Sequence, residues 1–167
     1  ATGLRDAGLR EGDRLMLRLG NRLEFPIVYL ASIWAGIIPV PTSAQLTQSE
    51  IDKLALQCDP KAAIVEQGIA APDGIQQIDC NDLSAMFACP PSEPVMGDPN
   101  RLAYIIFTSG TSGQPRGVCH AHRAIWARQM MFEGWYGLRA DDRLLHAGAF
   151  NWTYTLGTGL MDPWTIG

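Results

Sequence analysis

An apolar run, Leu102-Ala103-Tyr104-Ile105-Ile106-Phe107, feeds directly into Thr108-Ser109-Gly110-Thr111-Ser112-Gly113-Gln114-Pro115-Arg116-Gly117, and this junction constrains the chain more than any other stretch. Six consecutive apolar residues, β-branched and aromatic among them, read as a buried strand. The ten that follow hold three glycines, four hydroxyls and one guanidinium, with no carboxylate. Such a loop, hung from a strand's C-terminal end, can wrap a phosphate with backbone N–H groups and hydroxyls while Arg116 pairs with its charge. Glycine allows the close backbone approach and the positive φ that this needs. A Gly/Ser/Thr/Pro stretch can also be a plain surface turn. The loop is not a GxxxxGK[ST] motif, since Val118 and Cys119 follow Gly117.

The rest of the chain supplies the frame. Leu15, Leu17 and Leu19 alternate between Arg14 and Leu19, which predicts a strand. Asn21-Arg22-Leu23-Glu24 has the form of a capping box, so a helix is expected from about Leu23 to Ala35, ended by Gly36. Ile37 to Val40 reads as a second strand. Thr47-Gln48-Ser49-Glu50 is a second capping box, followed by Ile51, Leu54, Ala55 and Cys58 at helical spacing; Asp59-Pro60 stops that helix. Ala62 to Val65 and Gly74 to Ile78 read as strands, and Asn81 to Asn100 as an exposed connection. A helix is expected from His122 to Tyr136, a strand from Arg143 to Ala147, and a helix beginning near Thr155. Strands alternating with helices predict an α/β fold, a layered parallel sheet flanked by helices. The expected division is an α/β portion over residues 1–80, a connection over 81–100, and a phosphate-loop and pocket portion over 101–167. In such sheets ligands sit beyond the C-terminal ends of the strands.

The 167 residues suit one domain, and 47% hydrophobic content provides for a core. Net charge is −4, which argues against nucleic acid as a partner. Charge is unevenly spread. Pro99 to Phe132 contains no Asp or Glu but four arginines (Arg101, Arg116, Arg123, Arg128), which leaves −8 on the rest. A locally positive stretch around a hydroxyl-rich loop favours an anionic ligand, although Arg123 and Arg128 are expected to solvate a helix face. Cys58, Cys80, Cys89 and Cys119 show no metal-like spacing. With no signal peptide, reduced thiols in a cytoplasmic protein are expected. The longest apolar run, Phe25 to Val40, is broken by Pro26, Ser32, Gly36 and Pro39 and is too short to span a membrane. His120 and His122 form an H-x-H pair without a third ligand nearby, and no metal site is expected.

From Thr108 to Val118 the loop resembles the phosphate-binding signature of the adenylate-forming superfamily, T-S-G-T-[ST]-G-K-P-K-G-V, which includes acyl-CoA synthetases, peptide-synthetase adenylation domains and luciferases. Two positions depart from it: Gln114 and Arg116 stand where Lys is usual, and only Arg116 keeps the charge. Leu144-Leu145-His146-Ala147-Gly148-Ala149-Phe150-Asn151-Trp152-Thr153 is similar to the family's next, aromatic-rich motif, which lines the carboxylate pocket. In amino-acid-activating relatives an Asp follows the Phe and holds the substrate ammonium. Here Asn151 stands there, and a neutral amide is a poor counterion.

The resemblance implies ATP, Mg²⁺ and coenzyme A as partners of a small carboxylic acid. The acid carboxylate attacks the α-phosphate, giving an acyl-adenylate and pyrophosphate, and the coenzyme A thiol then releases AMP. It assigns Thr108, Ser109, Gly110, Thr111, Ser112, Gly113, Gln114, Arg116 and Gly117 to the ATP phosphates, and His146, Phe150, Asn151 and Trp152 to the acyl pocket. The family's later Y-G-x-T-E segment, ribose-binding Asp and C-terminal catalytic Lys are absent from this sequence. The chain is therefore expected to be a fragment of the large N-terminal domain, inactive alone and without catalytic residues of its own. Two other readings stand beside it: a stand-alone nucleotide- or phosphate-binding module, and an interaction domain whose glycine-rich loop is incidental. The sequence does not name the acid, aryl or short-to-medium acyl, nor the oligomeric state.

Overall fold

Leu15, Leu17 and Leu19 turn to one side of β1 (Arg14–Arg18) and Met16 to the other, and both sides are buried. The computed structural model describes residues 1–109 and 114–167. β1 pairs in parallel with β2 (Ile38–Pro41) on one flank and with β3 (Ala62–Val65) on the other; β4 (Gln76–Asp79) adds to β3, giving the order β2-β1-β3-β4. The register places Leu15 opposite Pro39 and Ala62, and Ala62 opposite Gln76. This is the expected parallel α/β arrangement, preceded by a short helix, α1 (Thr2–Asp6).

The crossovers explain the layers. From β1 to β2 the chain steps one way through α2 (Glu24–Trp34), and from β2 to β3 it steps back past β1 through α3 (Gln48–Cys58). Right-handed crossovers in opposite directions put the two helices on opposite faces. Accordingly Phe25, Val28 and Tyr29 of α2 bury against Leu15, Leu17 and Ile64, whereas Ile51, Leu54 and Cys58 of α3 bury against Met16, Val40 and Ala63. The box at Thr47 forms as expected, with the Thr47 N–H donating to Glu50 Oε2 at 2.8 Å. The one expected at Asn21 does not: α2 starts after Leu23 without a side-chain cap.

β5 (Leu102–Thr108) is the expected buried strand and lies against β2. Tyr104 and Ile106 join the α2-side core and Ile105 the α3-side core. Its partner was not expected. β6 (Arg116–Ala121) runs back antiparallel, from Thr108 opposite Arg116 to Leu102 opposite Ala121. β6 is largely solvent-facing, so it carries no hydrophobic alternation to announce it. Residues 110–113 lie outside the described residues.

Two further expectations are corrected. The helix expected over 122–136 divides into α5 (His122–Ala127), a 3-10 turn (Arg128–Met131) and a π turn (Phe132–Tyr136), closed by Gly137 at φ 56°. Arg143 to Ala147 is not a strand, and Leu145 in its middle is 96% exposed. The connection over 81–100 contains α4 (Leu83–Phe87), which buries Leu83. The helix begun near Thr155 is present as a π turn (Thr155–Met161) running into α6 (Asp162–Ile166), and it seats Leu156, Leu160 and Met161 in the α2-side core. No helix among the described residues is long and apolar enough to cross a membrane.

Candidate functional site

The hydroxyl- and glycine-rich stretch of sequence begins at the end of β5 and ends at the start of β6. Thr108 and Arg116 face each other across the last rung, with Phe107 opposite Gly117 one rung below. At Gly117 a Cβ would lie 3.2 Å from Ile105 Cγ2, so glycine lets the two strands close here. Thr108, Ser109, Gln114, Arg116 and Gly117 are solvent-exposed. None of the ion pairs among the described residues uses Arg116. Gly110, Thr111, Ser112 and Gly113, also assigned from sequence to phosphate binding, lie outside the described residues. What is described is a mouth of hydroxyls and one unpaired guanidinium, a donor set that suits an anion.

The second predicted segment, residues 146–152, is fixed from three directions. His146 Nδ1 accepts the Gly148 N–H at 3.1 Å, and its Nε2 lies 3.0 Å from Thr158 Oγ1. The Thr158 hydroxyl donates onward to the Tyr154 carbonyl at 2.8 Å. Gly159 makes room for this ring, since a Cβ there would sit 2.8 Å from His146 Cγ. Phe150 stacks on buried Phe25 of α2, with centroids 5.0 Å apart and planes 16° from parallel. Asn21 supplies the third hold: its Nδ2 donates to the Gly148 carbonyl and its Oδ1 accepts the Phe150 N–H, both at 3.0 Å. Asn151 is half-buried and its side chain makes no hydrogen bond among the described residues; Trp152 is exposed. The structure thus brings His146 and Phe150 to one corner. No hydrogen bond or ring contact among the described residues joins that corner to the hairpin mouth.

That corner stands at a meaningful place in the sheet. Chain connections leave β1 and β3 in opposite directions, so the crevice outside their C-terminal ends is the switch point where open α/β sheets take ligands. Glu66, one residue past β3, ties the two strand ends together. Its Oε2 accepts the Gly20 N–H at 3.0 Å and its Oε1 pairs with Arg22 at 3.1 Å. Arg22 also reaches Glu24 at 3.2 Å, and this contact holds the Glu24 carboxyl below its ordinary range.

A polar cluster with no local sign in the sequence links the turns after α5 to the start of α6. Arg128, expected on a solvated face, instead forks onto Asp162, with Nε–Oδ1 and Nη2–Oδ2 both at 2.6 Å. Asp162 is 1% exposed, and the Tyr136 hydroxyl donates to the same Oδ2. Burial and this bond push the Tyr136 phenol up to about 12. Next to it His120 stacks on Tyr104, centroids 4.5 Å apart and nearly parallel at 7°. Burial, with Arg128 nearby, holds the His120 imidazolium below its ordinary range. The H-x-H pair is therefore split, His120 on β6 and His122 on α5. No group of three metal-ligating side chains occurs among the described residues.

Comparison with known proteins bears on the whole chain. The family described as "AMP-binding enzyme" matches residues 1–167. The mitochondrial acyl-coenzyme A synthetase ACSM2A of Homo sapiens is 28% identical over 96% of this chain and 31% of its own length. Surfactin synthase subunit 2 of Bacillus subtilis is 27% identical over 98% of this chain and 5% of its own. The crystal structure of a benzoate CoA ligase from Burkholderia xenovorans superposes with a TM-score of 0.86 at 21% identity, covering 99% of this chain and 36% of that one. The fold is shared, and the chain spans about a third of the length of the synthetase and the benzoate ligase.

Proposed function

The chain belongs to the AMP-binding enzyme family, and on that premise we propose that it carries the phosphate loop and part of the acid pocket of an ATP-dependent carboxylic acid–CoA ligase. The observation that carries this reading is the pairing of Thr108 with Arg116 at the hairpin mouth, exposed and, among the described residues, without a carboxylate partner. A carboxylate approaching a triphosphate is repelled, and fixed donors offset that repulsion. Thr108, Ser109, Thr111 and Ser112 offer hydroxyls, Gln114 a neutral amide, and Arg116 the charge. Their place is against the β- and γ-phosphates. Mg²⁺, when bound, would add further neutralisation; no group of three metal-ligating side chains occurs among the described residues.

The acid would lie along residues 146–152, at the β1/β3 switch point. Both His146 nitrogens have partners within the protein, so His146 shapes the pocket wall. Asn151, neutral where an ammonium partner would need charge, favours a simple carboxylic acid over an α-amino acid. Trp152 and Phe150 suit an aryl or short-to-medium acyl group. In the overall reaction the acid carboxylate displaces pyrophosphate from the α-phosphorus, and the coenzyme A thiol then displaces AMP from the acyl carbon. The chain covers about a third of its ligase relatives, and residues 1–167 alone are not expected to complete either step. Residues 1–80 act as scaffold and 101–167 as the ligand-bearing part. The four free thiols suit a reducing, cytoplasmic setting.

The test is acid-dependent pyrophosphate release by the whole protein carrying this sequence. Aryl acids, short- and medium-chain acids and α-amino acids are compared, with and without coenzyme A. Release with aryl or aliphatic acids, and AMP formation only with coenzyme A, is expected. Release with amino acids alone would overturn the substrate assignment.

A further inference from the structure

We propose that Asn21 is a positioning residue for the acid pocket: its side-chain amide clips the Gly148–Phe150 backbone onto the β1/β3 switch point and so sets affinity for the carboxylic acid. This rests on the reading that residues 146–152 line that pocket.

The amide works at both ends. One backbone carbonyl and one backbone N–H, two residues apart, are met by a donor and an acceptor on the same rigid plane, each at 3.0 Å. The reversed amide would set N–H against N–H and oxygen against oxygen, so this orientation alone satisfies both partners. The clip is made across 127 and 129 residues of sequence. It is therefore not the local helix cap that Asn-x-x-Glu resembles, and α2 begins without one.

The base of the clip is itself held. Gly20 and Arg22, on either side of Asn21, are both anchored to Glu66 at the end of β3. The Asn21 side chain thus projects from a turn fixed to two parallel strands. Beyond the clip, Phe150 is stacked on Phe25, and Asn151 and Trp152 follow directly. Without Asn21, the Phe150 ring and the His146 contacts remain, but the backbone between them loses both long-range hydrogen bonds. Asn151 and Trp152 would then sample more than one orientation toward the acid. Among the described residues the hairpin mouth makes no hydrogen bond with Asn21, so ATP phosphate binding should be indifferent to it.

The experiment combines amide hydrogen exchange with steady-state kinetics on the whole protein, comparing the parent, Asn21→Ala and Asn21→Asp. Asn21→Ala should speed exchange at Phe150 and raise KM for the acid about tenfold, as loss of two modest hydrogen bonds implies, with KM for ATP unchanged. Asn21→Asp keeps the acceptor for the Phe150 N–H but turns an oxygen toward the Gly148 carbonyl, so Phe150 exchange should fall between that of the parent and that of Asn21→Ala, and the urea midpoint of each variant shows that the fold survives substitution. Unchanged Phe150 exchange in Asn21→Ala overturns the clip. Faster exchange with unaltered acid KM, or with acid and ATP KM raised equally, overturns the assignment to acid affinity. Failure of the ligase reading is separately visible, as absence of acid-dependent pyrophosphate release in the parent protein while the exchange comparison still reports on the clip.

Discussion

Arg128 grips Asp162 with two parallel contacts of 2.6 Å, and the carboxylate it grips is 1% exposed. The pair joins the 3-10 turn after α5 to the start of α6, 34 residues apart. Removing one partner of a buried pair leaves the other charged and desolvated, which costs about 3–5 kcal/mol. Arg128→Ala should therefore lower unfolding free energy by about 3 kcal/mol or more, read by urea denaturation. Tyr136→Phe removes only one donor to the same oxygen and should cost about 1–3 kcal/mol. Equal effects from the two would show that the fork is not the main hold.

The His120 imidazole stacks on Tyr104, and burial depresses its pKa below 6.5, so the fold favours the neutral ring. As pH falls through 6.5 the unfolded chain binds a proton that the folded chain resists, and stability drops. His122, depressed by burial and by Arg101, adds in the same direction. The expected outcome is a denaturation midpoint that is flat above about pH 7 and declines below about pH 6. His120→Phe keeps a stacking ring and removes one titrating group, so its decline should be shallower. An identical acid slope in the variant would contradict this.

Much of the scaffold was legible because its signals are local. The period-2 leucines of β1, the box at Thr47 with Ile51, Leu54 and Cys58 behind it, and the apolar run of β5 each lie within a few residues. The hairpin was not legible because β6 faces solvent and has no apolar face to alternate. Leu144 and Leu145 misled in the opposite way, an apolar pair left exposed at 47% and 96%. Arg128 gave no local sign of Asp162, and Asn21 gave a false one, since Asn-x-x-Glu reads as a cap until its distant partners are known. Composition located the loop at Thr108–Gly117 and a resemblance gave it a ligand; what holds residues 146–152 in place was written only in the fold.

Arg18 shows how a strand can hide a charge. Alternation puts it opposite the leucine face of β1, where it is 0% exposed. Its guanidinium donates to the carbonyls of Ala70 (2.7 Å), Leu46 (3.2 Å) and Ser43, and to Thr42 Oγ1 (3.4 Å), closing the loop after β2 over the α3-side core. Burial lowers its pKa to about 10. An ammonium cannot reproduce this spread of donors, so Arg18→Lys should leave carbonyls unpaired and cost about 1–3 kcal/mol. The measurement is a thermal or urea midpoint at pH 7, and a midpoint equal to the parent's would refute it.

At the hairpin mouth the arithmetic runs the other way. Arg116 is exposed and joins no ion pair among the described residues, so Arg116→Ala should leave stability within about 0.5 kcal/mol of the parent. A charge-assisted hydrogen bond to phosphate is worth about 1.5–3 kcal/mol, so ATP or pyrophosphate affinity should fall about ten- to a hundredfold. Gln114→Lys restores the second cation of the family's usual pattern and should strengthen binding, with a steeper loss on adding salt as screening grows. Titration of both variants with pyrophosphate, beside urea denaturation, separates a ligand-facing guanidinium from a structural one. If Arg116→Ala destabilises the fold without changing pyrophosphate affinity, the loop's arginine serves the hairpin and the phosphate assignment fails.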